Sequence, residues 1–267
     1  MTAIPKDSAQ GLLLTVIIPV YNEVATINRL LNRVLAVSYP KQLILVDDGS
    51  TDGTSALLKT WANHPEVTFL QHPHNRGKGA AIRTGLAHAR GRFTLVQDAD
   101  LEYDPSDYPR LLGPLLQGKA NIVYGSRYLQ PSPNSRPRRR LFRYGVSLLN
   151  VAVRMLYGVK LTDEATCYKV FTTDVLRAMD LQCQRFEFCP EVTAKACRMG
   201  LTIAEEPIRY TPRGAAEGKK IRWTDGWEAL VTLWKWRHWQ PANATIPFRS
   251  KETKSDPDDE ARCAHAV

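Results

Sequence analysis

Asp98, Asp100 and Glu102 stand at alternate positions directly after the apolar run Phe93 to Val96. In an extended chain alternate side chains share a face, so Asp98 and Asp100 point the same way, and Glu102 joins them if the extension continues. Three carboxylates on one side repel unless a cation lies among them. Hard oxygen ligands suit Mg2+ or Mn2+ and leave coordination positions for substrate phosphates. The competing expectation is a simple turn, because Asp104-Pro105 follows at once and Asp is favoured in turns.

Two more polar stretches follow apolar ones. Asp47-Asp48-Gly49-Ser50 succeeds Leu43-Ile44-Leu45-Val46. A carboxylate at the end of a buried strand can accept hydrogen bonds from a ribose hydroxyl or a base N–H. The same residues would equally form a turn with Thr51 or Asp52 capping the next helix. Asn75-Arg76-Gly77-Lys78-Gly79 sets glycines and a lysine at a helix start, where free backbone N–H groups favour phosphate. It is neither a Walker loop nor G-x-G-x-x-G, since Ile82 holds the last position.

The net charge of +9 is concentrated at Arg127, Arg136, Arg138, Arg139, Arg140 and Arg143, which implies a phosphate-bearing or anionic-surface partner. Nucleic acid is not the expected partner, because no helix-turn-helix, zinc-finger or single-strand-binding module accompanies the arginines. The five cysteines are odd in number and show no C-x-x-C pair, as expected of free thiols in a reducing compartment. His72-Pro73-His74 reads as a polar loop rather than a metal site.

Those polar stretches need a scaffold. Apolar runs at Leu12–Val20, Leu43–Val46, Val67–Leu70 and Phe93–Val96 alternate with helical patterns, the α/β signature of a parallel sheet covered on both faces. Ligands in such sheets bind outside the carboxyl ends of the strands, where 19–23, 47–54 and 98–102 must lie. A helix near Tyr108–Leu116, a strand at Ile122–Tyr124, a helix from Thr173, another with Pro190 in its first turn, and a strand within Leu201–Tyr210 follow. Leu141–Tyr157 carries an apolar stripe (Leu141, Tyr144, Leu148, Val151, Met155) beside a polar one (Arg143, Ser147, Asn150, Arg154). Trp223, Trp227, Leu230, Val231 and Trp234 form a second stripe, closed by Lys235, Arg237 and His238. Each stripe suits either packing on the body of the protein or contact with a membrane. The expected organisation is one domain over 12–240, with disordered ends at 1–11 and 241–267. With no signal-peptide pattern and no run of roughly 18 apolar residues, the expected location is cytoplasmic, peripheral on a membrane face.

Pro19-Val20-Tyr21-Asn22-Glu23, Asp47 to Thr54, Asn75 to Gly79, Asp98-Ala99-Asp100 and Gly125-Ser126-Arg127 together resemble, in order and spacing, the family 2 glycosyltransferases of GT-A fold, over about residues 12–235. Within that family the chain looks most like the polyprenyl-phosphate hexose synthases, through Leu161-Thr162-Asp163, Phe186-Glu187-Phe188 and Glu206-Pro207-Ile208-Arg209-Tyr210. The resemblance implies a nucleoside pocket lined by Pro19, Tyr21, Glu23 and Asp48, and a donor held by Lys78, Asp98 and Ala99. It implies a metal, Mg2+ or Mn2+, on Asp100 and Glu102, and Asp163 near the transferred sugar. Arg127, Arg143 and Ser147 fall at the acceptor phosphate, and Lys219 or Lys220 resembles a loop base closing over donor phosphates.

The implied reaction is inverting transfer of a hexose from a nucleoside-diphosphate sugar to a polyprenyl phosphate at a membrane surface; the sequence leaves open whether a separate membrane subunit is a further partner. The alternatives are a protein, glycan or soluble acceptor, nucleotidyl transfer, or a non-catalytic membrane-binding module. The usual Thr-Asp-Pro-x-Ser/Thr-Gly-Phe of the family is replaced here by Thr162-Asp163-Glu164-Ala165-Thr166-Cys167-Tyr168, so the resemblance implies no particular sugar.

Overall fold

The computed structural model describes residues 11–129, 139–213 and 223–241. Strands β1 (Leu14–Val20), β2 (Lys41–Asp47), β3 (Val67–Gln71) and β4 (Phe93–Val96) alternate with helices α1 (Ile27–Leu35), α2 (Thr54–Trp61) and α3 (Lys78–Ala87). Helix α4 (Tyr108–Leu116), β5 (Ile122–Ser126), α5 (Arg139–Tyr157), β6 (Lys169–Thr172), α6 (Thr173–Ala178), α7 (Phe188–Arg198), β7 (Ile203–Pro207) and α8 (Trp223–Lys235) complete the chain. The strands form one seven-stranded sheet in the order β3-β2-β1-β4-β6-β5-β7. It is parallel except for β6, which runs antiparallel between β4 and β5. This is the mostly parallel α/β sheet of the GT-A fold.

The fully buried strands explain the continuous apolar runs, since both faces of the sheet are covered. Alternate residues serve opposite layers. Ile17, Ile44 and Val96 pack with Ala81 and Ile82 of α3, Val153 of α5 and Val192 of α7. Val16, Ile18, Leu43 and Leu45 pack with Leu30 and Leu31 of α1 and Leu111 of α4 on the other side.

Helix α5 packs by a face other than its sequence stripe, and α8 packs by a face that shares only Leu230 with its stripe. Val146, Leu149 and Val153 of α5 and Ala229, Leu233 and Trp236 of α8 are buried. Tyr144, Leu148, Val151 and Met155 are instead exposed, as are Trp227, Val231 and Trp234. The two helices touch, and the Tyr157 hydroxyl donates to the Leu233 carbonyl at 2.5 Å. Of the two expectations for these stripes, packing on the sheet is therefore overturned for the residues that face outward. Among the described residues, no helix is long and apolar enough to cross a membrane. Lys219, Lys220, Arg136 and Arg138 lie outside the described residues, as do 1–10 and 242–267 of the ends expected to be disordered.

Candidate active site at the carboxyl ends of the strands

Asp48 follows β2 and is buried. Its carboxylate accepts the backbone N–H groups of Arg76 at 2.9 Å and Gly77 at 2.8 Å, and lies 2.7 Å from His72 Nδ1. The other ring nitrogen of His72 is 3.0 Å from the Thr84 hydroxyl. Asp48 and His72 thus fasten the loop that presents Lys78. Sequence reading gave His72 no role, because its partners lie in distant elements. Gly77 takes φ +96°, and a Cβ there would stand 2.4 Å from the Gln184 carbonyl oxygen, so both strain and space require glycine. Lys78 opens α3 and forms an ion pair with Asp98. Burial opposes its charge, but the Asp98 carboxylate beside it holds the amine well above the ordinary lysine range. Pro19 and Tyr21, at the end of β1, are half-buried, and Ala99 is buried.

The acidic stretch does not continue β4. The strand ends at Val96, and Leu101 takes φ +64°. Asp100 Oδ1 accepts the Glu102 N–H at 3.1 Å, a tight local turn. The expected single extended face of three carboxylates is thus not formed, because the left-handed residue re-aims Glu102. The Glu102 carboxylate accepts the Tyr210 hydroxyl and the Arg213 N–H, each at 2.8 Å. An isolated bridge between Tyr103 and Tyr210 and the Thr211 N–H to Glu102 carbonyl bond of 2.9 Å join the same two segments. Glu102 therefore clamps the segment that leads toward 214–222.

Arg213 places its guanidinium among the acids. Its Nε donates to the Asp100 carbonyl at 3.0 Å, and its Nη2 donates to Glu23 Oε2 at 2.7 Å and lies 3.8 Å from Asp100 Oδ2. Glu23 and Asp100 thus flank a cation while Glu102 holds the backbone N–H of the same residue, although among the described residues no three His, Cys, Asp or Glu side chains converge to hold a metal. A magnesium-like ion does not require three, because it is commonly held by one or two carboxylates together with substrate phosphates. Asp100, half-buried with one loosely engaged oxygen, fits that role, and the donor set is hard oxygen throughout.

A second cluster lies at the end of β5. Asp163 is fully buried and accepts from Arg127 three times: backbone N–H at 3.0 Å, Nε at 2.7 Å and Nη2 at 2.7 Å. Glu205 of β7 receives the Thr162 N–H, the Thr162 hydroxyl and the Asp163 N–H, fixing the turn from behind. Glu205 had no sequence signal beyond lying next to the Glu206-Pro207 motif. The Arg127 guanidinium stands 5.8 Å from the Tyr128 ring and 5.2 Å from that of Tyr210, while Arg143 stands 5.7 Å from Tyr128. The structure so brings Arg127 and Arg143 to one aromatic residue, with Ser147 exposed one turn further along α5. Glu164, next to Asp163, is wholly buried, and neither carboxylate oxygen has a well-formed hydrogen-bond partner among the described residues. Burial pushes its carboxyl up, against the pull of Lys169.

Comparison with known proteins accords with this geometry. Residues 15–179 match the family model described as glycosyl transferase family 2. An undecaprenyl-phosphate mannosyltransferase of Micrococcus luteus is 32% identical over 82% of this chain and 92% of its own length. A dolichyl-phosphate beta-glucosyltransferase of Trichomonas vaginalis is 29% identical over 77% of this chain, which spans 66% of that relative's length. The crystal structure of glucosyl-3-phosphoglycerate synthase from Mycobacterium tuberculosis, in complex with Mn2+, uridine diphosphate and glucosyl-3-phosphoglycerate, shares the fold with a TM-score of 0.63. It is 21% identical over 87% of this chain and 82% of that one. With the family model covering more than half its length and the strand-end site in place, the chain belongs to glycosyl transferase family 2.

Proposed function

We propose that this protein transfers a hexose, with inversion, from a nucleoside-diphosphate sugar to a polyprenyl phosphate at the surface of a membrane. The observation that carries the acceptor class is the pairing of the acids. Asp163 is gripped by Arg127, Asp98 by Lys78 and Glu23 by Arg213, while Glu102 receives Tyr210 and Arg213. Carboxylates that already accept strong charge-assisted hydrogen bonds are poor proton acceptors. A hydroxyl acceptor needs a general base, but a phosphate is already ionised at neutral pH. The site therefore suits an acceptor that must be aligned rather than deprotonated.

In this reading the half-buried residues Pro19 and Tyr21 line the nucleoside pocket with Glu23, and Asp48 shapes its floor by holding the Arg76-Gly77 loop. Lys78 and Asp98 hold the donor near Ala99, with Lys219 or Lys220 expected to approach its phosphates. Asp100 would hold a divalent cation, Mg2+ or Mn2+, with Glu102 as a second ligand only where it gives up its bond to Tyr210 or Arg213, and when bound that cation supplies Lewis-acid stabilisation to the departing diphosphate. Asp163 orients sugar or acceptor through the Arg127 guanidinium. Arg127, Arg143 and Ser147 receive the acceptor phosphate, which counters repulsion between two anions brought together.

The outward faces of α5 and α8 supply the route to a lipid acceptor. Met155 is 81% and Trp227 67% exposed, and Arg143, Arg154 and Lys235 are exposed beside them. Aromatic and aliphatic side chains next to basic ones suit an anionic membrane interface. A cytoplasmic, peripheral location follows from the same reading. The deciding experiment incubates the purified protein with a panel of nucleotide sugars, with Mg2+ or Mn2+, and with or without polyprenyl phosphate. Formation of a polyprenyl-phosphate hexose supports the reading. Transfer only to soluble hydroxyl acceptors overturns it.

A further inference from the structure

The proposed reaction leaves unused one pair of side chains at the edge of the site. Cys167 lies on the turn after Asp163, partly open to solvent, and Cys189 is buried in the first turn of α7; their sulfurs are 3.8 Å apart. Cys167 stands where the usual family pattern has glycine. The groups facing Cys167 come from α3, from the segment after β4 and from α7. Lys78 at the start of α3 and Asp98 after β4 act on it, and its N–H donates to the Tyr103 hydroxyl oxygen at 3.3 Å. Lys169 and Glu164 act on Cys189. The single thiol hydrogen of Cys189 has two acceptors, the Cys167 sulfur and the Thr166 carbonyl at 3.3 Å.

These neighbours separate Cys167 from the other described thiols. The hydrogen bond from Cys189 brings the Cys167 thiol down to about 7; burial opposes this and the Lys78 ammonium assists it. Burial pushes Cys197 up to about 12, and burial with the nearby Glu191 pushes Cys183 up as well. A thiolate that reaches solvent is the reactive form of cysteine, whereas buried protonated thiols are inert.

We infer that Cys167 and Cys189 are a selective oxidation site, in which a small peroxide reacts at Cys167 and Cys189 resolves the product to an intramolecular disulfide. The Cys167 thiolate attacks one oxygen of hydrogen peroxide; the S–O bond forms, the O–O bond breaks, and the departing hydroxide takes up the proton that Cys167 had released, leaving as water. The sulfenic acid so formed is then attacked by the Cys189 sulfur. The S–S bond forms, the S–O bond breaks, and the departing hydroxide takes the Cys189 proton as water. In sum, two thiols and one peroxide give one disulfide and two waters. The sulfurs must close from 3.8 Å to about 2.05 Å, a movement within reach of a turn residue. The product ties the Asp163 turn to α7 and removes the thiolate charge near Lys78, leaving the Asp98 carboxylate as its partner.

The test uses the full chain carrying Cys263→Ser, treated with hydrogen peroxide, alkylated and digested for mass spectrometry. The expected result is a disulfide joining the Cys167 and Cys189 peptides, formed before Cys183 or Cys197 is modified. Cys189→Ser is expected to stop at a Cys167 sulfenic acid that dimedone captures. The labelling rate of Cys167 by a bimane reagent should rise through about pH 7, and Lys78→Met should move that rise to higher pH. Circular dichroism shows whether each variant is folded. Oxidation of Cys183 or Cys197 at an equal or greater rate, or unlinked Cys167 and Cys189 in the folded protein under peroxide, overturns the inference.

Discussion

Arg127 grips Asp163 through both carboxylate oxygens, from Nε to Oδ2 and from Nη2 to Oδ1, each at 2.7 Å. The Arg127 side chain is 7% exposed and that of Asp163 not at all, so each charge depends on the other. Removing one partner of a buried pair strands the other charge, at a cost of roughly 3–5 kcal/mol. Arg127→Ala is expected to lower the urea midpoint accordingly, and Arg127→Lys to recover only part, because an ammonium cannot make the two-pronged contact. A loss below about 1 kcal/mol in Arg127→Ala would contradict the pairing.

Asp100 is the least committed acid of the strand-end cluster. Asp100→Asn keeps its shape and its hydrogen bond to the Glu102 N–H while weakening its affinity for a cation. We expect unchanged folding by circular dichroism and a fall in metal-dependent transfer of roughly a hundredfold or more. Near-normal turnover would remove Asp100 from the metal assignment.

Trp227 and Trp234 stand 67% and 56% exposed on α8. Burying such a side chain in a lipid interface is worth about 1.5–3 kcal/mol, or roughly a ten- to hundredfold change in partition for each. The double variant Trp227→Ser, Trp234→Ser is therefore expected to float with anionic vesicles far less than the parent, with the fold unaltered because neither ring is core. Equal flotation of the two proteins would show that this face does not meet the membrane.

Burial holds the Glu164 carboxyl above its ordinary 4.5, so the native state keeps a proton that the unfolded chain has released. The stability this proton linkage contributes is fully present below the unfolded value and is lost as pH rises through the folded one. Glu164→Gln cannot ionise and should flatten that part of the profile, gaining more on the parent at pH 8 than at pH 5. Urea titrations at the two pH values giving the same difference would mean that Glu164 does not titrate across this window.

The strand runs were legible because both faces of a parallel sheet are covered, which leaves uninterrupted stretches such as Ile17-Ile18 and Leu43 to Val46. Antiparallel β6 lies between two strands that run the other way. Its direction follows from which neighbours it finds, and nothing local to Lys169–Thr172 records that. The helix stripes were legible as stripes, but not by orientation. An apolar face at Tyr144, Leu148, Val151 and Met155 reads the same whether it meets core or solvent, and only the deeper packing of Val146, Leu149 and Val153 decides it.

The sequence by itself determined the chemistry available: acids after β4, a glycine-lysine loop before α3, arginines after β5, and a family pattern strong enough to name. Side-chain types and strand-end spacing are local properties, and they survive without coordinates. Only the tertiary structure decided how those charges are paired. Arg213 reaches Glu23 across 190 positions, Glu205 fastens a turn 43 positions earlier, and Leu101 in the left-handed region directs Glu102 to Tyr210 rather than to a shared face with Asp98. Electrostatic pairing falls off with distance in space, and the crossovers of the sheet set that distance.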